Sequence, residues 1–289
     1  MTALLSPRAI EAAYLAATRA ELTALKPGNV HTFAPGHKMQ VWHFEKSAEA
    51  SAPWIADPKL GVGSRILGGM EASFAVAGCN TNLGILLLAA PLARAADGCI
   101  EGVDLRARLR CVLAGLDLDD ARHAFKAIAL ANPGGLGAVD AEDVSHPPSV
   151  SLLEAMRLAA GRDRISRAYV TDLEDVFGTA LPILAEARAL GATVGFDVTT
   201  LHMALLATFP DSHIARKHGL QTASAVMAAA EARRAAWFPV AGPKSVPDLL
   251  EFDQYLKNRG INPGTTADFV VATLFADELM ARIDAHIAS

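Results

Sequence analysis

The sequence predicts an all-α protein, a single compact multi-helix domain over residues 1–289. Three observations predict it. Hydrophobic residues make up 52% of the chain but aromatics only 6%, so the apolar count rests on Ala, Leu, Val and Ile. Ala is the best helix former and packs poorly on a pleated surface. Apolar residues recur at helical spacing along most of the chain, while short alternating Val/Ile runs are scarce. Pro, Gly, Asn and Asp fall where such helices would start and stop. With 20% charged residues the composition excludes disorder, collagen and a disulfide scaffold. A chain of this length buries roughly 70–75% of its unfolded surface, which is core enough without staples.

Taken in order, Ser6-Pro7 opens a first helix, with Ser as N-cap and Pro at the first helical position, and Lys26-Pro27-Gly28-Asn29 stops it after about Leu25. Ile10, Tyr14, Ala17 and Glu21 share one face of it. Residues 26–43 form a loop rich in Pro, Gly and His. Helices follow over roughly 44–57 and 61–77, the latter ending at Gly78. Asn80-Thr81-Asn82 opens a strongly apolar helix to about Ala96. Residues 104–114 and 117–131 make two more, before the glycine-rich Asn132–Gly137 and a polar stretch to Pro148. The pattern then predicts helices at 151–160, 164–190 with a break near Pro182, 197–208, and 212–236 running through Gly219. A linker from Pro239 to Pro247 precedes helices at 248–258 and 265–287.

A net charge of −5 disfavours a nucleic-acid partner. Cys79, Cys99 and Cys111 are odd in number and form no CxxC pair, which reads as structural thiols in a reducing compartment. The N-terminal stretch carries acidic residues among its apolar ones and reads as a mature helix, not a signal peptide. The most apolar window, Leu83 to Ala96, is interrupted by Pro91 and Arg94 and is too short to span a bilayer. A soluble cytoplasmic protein with no membrane partner is expected.

Four segments place polar groups where the fold alone does not ask for them. In the first, Glu21 lies on an apolar stripe, where a carboxylate is costly to bury unless paired or metal-bound. Lys26, Asn29 and His31 follow it, and Lys26 is one partner the loop could offer. The histidines at 31, 37 and 43 do not match a zinc pattern. In the second, Asn80, Thr81, Asn82 and Gly84, preceded by Glu71, present donors at a helix N-terminus; this is either an ordinary cap or a phosphate site. The Asn132–Gly137 turn poses the same choice. In the third, Asp211 or Ser212 caps a helix whose next turn carries Arg216 and Lys217, the residue types for a metal carboxylate beside a polyphosphate. In the fourth, Thr265 is a candidate N-cap, and Asp268 completes a capping box at the top of the stripe Val271, Ala272, Phe275 and Leu279. Oxygen ligands without a Cys/His cluster point to Mg²⁺, which takes one or two carboxylates plus substrate phosphates. Glu21, Glu71, Asp211 and Asp268 are the candidate ligands. Neither GxxxxGK[ST] nor GxGxxG occurs, so no P-loop or Rossmann site is expected.

These segments, in this order, resemble the CitG-like family of ATP:dephospho-CoA triphosphoribosyltransferases: ELTALKPGNVH, GCNTNLGILLLAAPLA, NPGGLG with a following DV, PDSHIARKHG and NPGTTADFVVATLF. The resemblance implies an all-α enzyme that takes ATP and 3′-dephospho-CoA as substrates, releases adenine and joins the triphosphoribosyl group to the acceptor ribose. Loss of adenine builds positive charge on the ribose, which a carboxylate stabilises, and a second carboxylate accepts the proton of the attacking hydroxyl. Glu21, Asp211 and Asp268 are the catalytic candidates, with Glu71 fourth. Lys26, Asn29, His31, Asn80, Thr81, Asn82, Gly84, Arg216 and Lys217 are the binding candidates.

The chain also departs from the citrate-lyase branch of that family. It has Asn80-Thr81-Asn82-Leu83-Gly84 for Asn-Thr-His-Lys-Gly, Pro35-Gly36-His37-Lys38-Met39 for Gly-Ala-His-x-Asp-Met, and Pro210-Asp211-Ser212-His213 for Gly-Asp-Thr-Asn. Its forms look more like the branch of archaea and of bacteria with tetrahydromethanopterin-type one-carbon carriers. The alternatives are therefore the same chemistry with another coenzyme acceptor, or a non-catalytic nucleotide-binding homologue.

Overall fold

The computed structural model describes residues 5–34, 36, 39–97, 104–131 and 146–287. Asn132–Gly137, Pro35, His37, Lys38 and Cys99, all singled out above, lie outside the described residues. The fold is all-α, 75% helical and without strands among the described residues. Two isolated antiparallel bridges, His31 with Ala34 and Gly36 with Met39, tighten the loop after the first helix. No helix among the described residues is long and apolar enough to cross a membrane. The chain forms two compact units, one from residues 1–18, 43–174 and 274–289, the other from 19–42 and 175–273.

The first unit holds α1 (Pro7–Thr23) as far as Thr18, and the helix opens as expected, with Ser6 Oγ accepting from Ala9 N at 3.2 Å. Its stripe of Ile10, Tyr14 and Ala17 is buried. It is followed by α2 (Val41–Ala56), α3 (Val62–Ala77) and α4 (Leu83–Ala96). The expected start of α2 moves three residues earlier, and α3 ends on Gly78 at φ 67° as expected. Buried residues cover nearly the whole circumference of α4, as its unbroken apolar sequence requires. The unit continues with α5 (Leu105–Ala114), α6 (Leu118–Ala131), α7 (Leu152–Ala159) and α8 (Arg164–Val170). Asp104, Ser151 and Asp163 cap α5, α7 and α8 by accepting backbone N–H bonds. Pro91 sits inside α4 and cannot donate to Leu87 O; the Tyr169 hydroxyl on α8 donates to that carbonyl at 2.6 Å. Burial pushes the Tyr169 phenol up, so it keeps that proton.

The helix expected over 164–190 is divided, but not at Pro182. After α8 the chain turns through Asp172 and Leu173, both at positive φ, and then forms a π-helical segment, Asp175–Ala180. Asp172 accepts from Arg110 Nε at 2.9 Å and Leu173 is fully buried, which holds the turn. Pro182 falls in the first turn of α9 (Leu181–Ala189), where its missing N–H has no helical partner to lose.

The second unit adds α10 (Phe196–Thr208), α11 (Ser212–His218), α12 (Leu220–Ala232), α13 (Arg234–Trp237), α14 (Val246–Asn258) and, as far as Thr273, α15 (Gly264–Ile287), with a 3₁₀ turn at Pro243–Ser245 inside the expected linker. The single helix expected over 212–236 is corrected here. Gly219 takes φ 86° and ψ 154°, which no helix admits, and it separates α11 from α12; Arg233 then separates α12 from α13. Leu25, Met203, Leu206, Trp237, Leu249, Phe252, Leu256 and Ile261 form the core of this unit.

Candidate active site

The first and last sequence segments meet in the second unit. Glu21, on the buried stripe of α1, is 4% exposed, and Lys26 is wholly buried. Lys26 Nζ lies 2.5 Å from Glu21 Oε1 and donates to Val30 O at 2.6 Å and to Asn29 Oδ1 at 3.2 Å. All three ammonium protons thus have acceptors. Burial raises the Glu21 carboxyl and lowers the Lys26 ammonium, and their mutual attraction opposes both shifts. The partner Glu21 needs is the lysine of its own loop.

Asp253 on α14 organises the rest of that loop. Its Oδ1 accepts from Gly28 N at 2.8 Å and lies 3.3 Å from His31 Nε2, while its Oδ2 accepts from Lys257 Nζ at 3.0 Å. Lys257 also donates to Ala34 O at 3.1 Å and stands 3.3 Å from His31 Nε2. Burial alone would raise the Asp253 carboxyl, but the bonds from His31, Lys257 and Gly28 outweigh it and hold the carboxyl below its usual range. Gly28 is required twice: its φ is 85°, and a Cβ there would stand 2.7 Å from Pro263 Cδ and 2.8 Å from Leu256 Cδ1. Asn29 Nδ2 donates to Asn262 Oδ1 at 2.8 Å, so the KPGN turn is keyed into the Asn262-Pro263-Gly264 turn. His202 on α10 closes the cluster, with Nε2 at 3.3 Å from Pro27 O and its pKa lowered to about 3 by burial.

The third and fourth segments also interlock. Asp211 caps α11, Oδ1 accepting from Ile214 N at 2.9 Å. Its Oδ2 accepts from Thr266 N at 2.7 Å and Thr266 Oγ1 at 2.8 Å, so one carboxylate serves two helix ends. Burial raises this carboxyl and those bonds oppose the shift. The helix starts at Gly264 rather than after Thr265, so Thr265 lies in its first turn instead of capping it. Its hydroxyl accepts from His213 N and Ser212 Oγ, both at 3.2 Å. Asp268 is half-buried one turn further on, Arg216 is half-buried and Lys217 exposed.

The second segment belongs to the first unit. Asn80 Oδ1 accepts from Leu83 N, the first N–H of α4, at 3.2 Å, while the N-cap residue Asn82 makes no side-chain cap bond. Thr81 Oγ1 donates to Ser47 Oγ at 2.7 Å, and Asn82 Nδ2 donates to Ser73 Oγ at 2.9 Å. Gly84 is half-buried and Glu71 exposed on α3. The described residues thus bring Glu21, Lys26, Asn29 and His31 into one cluster and Asp211 into a second; the two meet at the Asn262–Thr266 turn. Glu71, Asn80, Thr81, Asn82 and Gly84 are in the other unit.

Sequence reading missed Asp253, Lys257 and His202. A signal existed for the first two. Asp253 falls between Leu249 and Leu256 on the buried face of α14, the same misplaced carboxylate that drew attention to Glu21, and Lys257 follows it at i+4. A model of one protein family matches residues 7–286, almost the entire chain, and is described as CitG: ATP:dephospho-CoA triphosphoribosyl transferase. The chain belongs to the CitG family. This CitG protein is accordingly an enzyme, a transferase. Among solved structures it is similar to the crystal structure of a candidate triphosphoribosyl-dephospho-CoA synthase from Archaeoglobus fulgidus. The two share 23% identity at a TM-score of 0.61, over 80% of this chain and 95% of the other. At that identity the likeness concerns the fold. No curated protein matches the chain.

Proposed function

We propose that the protein moves the triphosphoribosyl group of ATP onto the ribose of 3′-dephospho-CoA, with release of adenine. The observation that carries the reading is the keying of the KPGNVH loop into the NPGTT turn through Asn29 and Asn262, with Asp211 tied to the same turn through Thr266. These are the family's motifs, and packing a core does not require them to be joined by polar side chains. Arg216 and Lys217 supply cationic donors for the triphosphate, while Lys26, whose three protons are already taken, would serve by holding the KPGNVH loop in place. Asn29 and His31 line the same loop, and Asn80, Thr81, Asn82 and Gly84 are proposed for binding at the start of α4.

Mg²⁺ fits this donor set. Among the described residues no three His, Cys, Asp or Glu side chains form a metal cluster. The ion needs only one or two carboxylates beside substrate phosphates. Glu21, Glu71, Asp211 and Asp268 are the carboxylates proposed for it, of which Asp211 also serves two helix ends and Glu71 is exposed. Bound there, the ion would neutralise phosphate charge.

One observation favours a second acceptor. Leu83, buried at the start of α4, stands where the citrate-lyase branch carries a lysine, so a group that this lysine would meet must be absent or different. An acceptor from one-carbon coenzyme biosynthesis would be read by the same site.

The test is incubation with ATP, Mg²⁺ and dephospho-CoA, following free adenine by mass spectrometry. Adenine appearing only when dephospho-CoA is present supports the first acceptor. No adenine with any coenzyme acceptor would leave a nucleotide-binding protein without the chemistry. Melting adds an independent check. ATP at about 100 times its dissociation constant should add about 2.7 kcal/mol, and a chelator should remove most of that shift.

A further inference from the structure

We infer that His213 is a positioning residue: its imidazole accepts a hydrogen bond from Arg216 and aims that guanidinium at the triphosphate of ATP. This rests on the transfer proposed above and adds to it a residue outside the binding candidates read from the sequence.

The ground for it is the way α11 is fixed. The helix is only seven residues long, and Gly219 ends it at φ 86°. So short a helix does not hold itself in place. Its first residues are stitched instead to the start of α15. Asp211 Oδ2 accepts from Thr266 N and Thr266 Oγ1, Ser212 Oγ donates to Thr265 Oγ1, and His213 N donates to that same oxygen at 3.2 Å. The His213 ring extends the seam. A Cβ on Gly264 would stand 3.2 Å from its Nδ1 and 3.3 Å from its Cγ, so the imidazole lies close over the bare α-carbon of that glycine. Arg216 follows at i+3, the spacing at which side chains of one helix meet, and its Nη2 stands 3.5 Å from His213 Nδ1.

Chemistry sets the direction of that bond. A guanidinium has five N–H donors and no acceptor, so Nδ1 is the acceptor and the imidazole proton belongs on Nε2. The contact is long, as hydrogen bonds of a site often are before substrate tightens them. Arg216 is half-buried, whereas Lys26 is wholly buried with its protons taken. A phosphate arriving from solvent therefore meets Arg216 and not Lys26. The guanidinium is a planar fork that grips phosphate oxygens in pairs. A fork steadied at one nitrogen by a ring seated on the Asn262-Pro263-Gly264 turn loses less orientational freedom when phosphate binds.

Isothermal titration of the full-length protein with ATP and Mg²⁺, without acceptor so that nothing turns over, tests this through a double-mutant cycle. Arg216→Ala should weaken ATP binding by roughly 10- to 100-fold, the range for hydrogen bonds to charged groups. His213→Ala should weaken it by about 2- to 10-fold, and should add nothing further in the Arg216→Ala background. His213→Asn, whose carboxamide oxygen can stand where Nδ1 stood, should bind within about 2-fold of wild type. A strut would behave otherwise: its loss would carry through into the Arg216→Ala background, and Asn would not restore it. Either result overturns the inference, as does wild-type affinity in His213→Ala, and all three leave the transfer reading standing. Should these affinities hold while no adenine is released with dephospho-CoA or any other coenzyme acceptor, the transfer reading falls and the assignment of His213 stands. A wild type that binds no ATP overturns both.

Discussion

Arg65 in the first unit and Lys26 in the second are both wholly buried cations, yet they are held in different ways. Arg65 Nη1 donates to Ile55 O at 2.6 Å and its Nε to Leu60 O at 3.1 Å, and Nη2 pairs with Asp97 at the end of α4. A guanidinium cannot lose its proton, and this one ties together helix ends. Lys26 instead shares a short contact with a carboxylate whose pKa burial has raised, on a loop keyed to Asp253 and Asn262. Its neighbours Glu21, His31 and His202 can all change protonation. The first unit buries a permanent charge as a strut; the second gathers titratable groups around its buried cation.

The largest effect should come from acid. His202 titrates at about 3 when folded, against 6.5 when exposed. The folded value is the lower, so its contribution is fully present above about pH 6.5 and is lost as pH falls toward 3. A depression of roughly three units or more corresponds to about 4–5 kcal/mol. Urea denaturation across that window should show a steep loss of stability that His202→Gln flattens. Equal slopes in the two proteins would remove His202 from the account. Arg65 itself keeps its proton throughout this window, so what titrates beside it is the Asp97 carboxyl, which burial has raised.

Two pairs of double variants come next. Arg65→Met alone leaves the buried Asp97 to its longer contact with Arg94, 3.4 Å, and should cost up to about 3–5 kcal/mol; Arg65→Met with Asp97→Leu should recover most of it, because apolar replacements of a buried pair are often neutral. Turnover per folded molecule should be untouched. Glu21→Leu with Lys26→Met should likewise stay folded, but adenine release should fall by at least ~10²-fold. Normal turnover in that double variant would make Lys26 a strut of the same kind as Arg65, and the contrast between the units would collapse.

Much of this was legible in the sequence, and for a physical reason. Helices and their periodicity are local, so α1, α4 and the buried position of Glu21 could be read from spacing alone. The errors are local too. Gly219 adopts a backbone angle that composition does not reveal, and Asp172 and Leu173 carry a turn without Gly or Pro to announce it. The site was half legible. Lys26 was available as the partner of Glu21 because it lies five residues away. Asp253 was not, because more than two hundred residues separate it from Gly28 and no local pattern encodes that pairing.

Asp268 gives the smallest and most pointed test. The sequence offered it as part of a capping box, and as a cap alone its loss should cost about 0.5–2 kcal/mol. In the structure α15 starts at Gly264, and Asp211 takes the Thr266 N–H that a cap would serve. Asp268 lies a turn further in, where interaction with the helix dipole has largely faded, so Asp268→Asn should change stability by less than about 1 kcal/mol. The same change removes a negative charge that Asn cannot replace. As a ligand of Mg²⁺ or the carboxylate facing the charged ribose, its loss should cut adenine release by at least ~10²-fold. Activity and stability should therefore part company, the reverse of what Arg65→Met does. An Asp268→Asn protein that melts lower while turning over normally would return this residue to the class of struts and leave Glu21 as the remaining carboxylate for the ion.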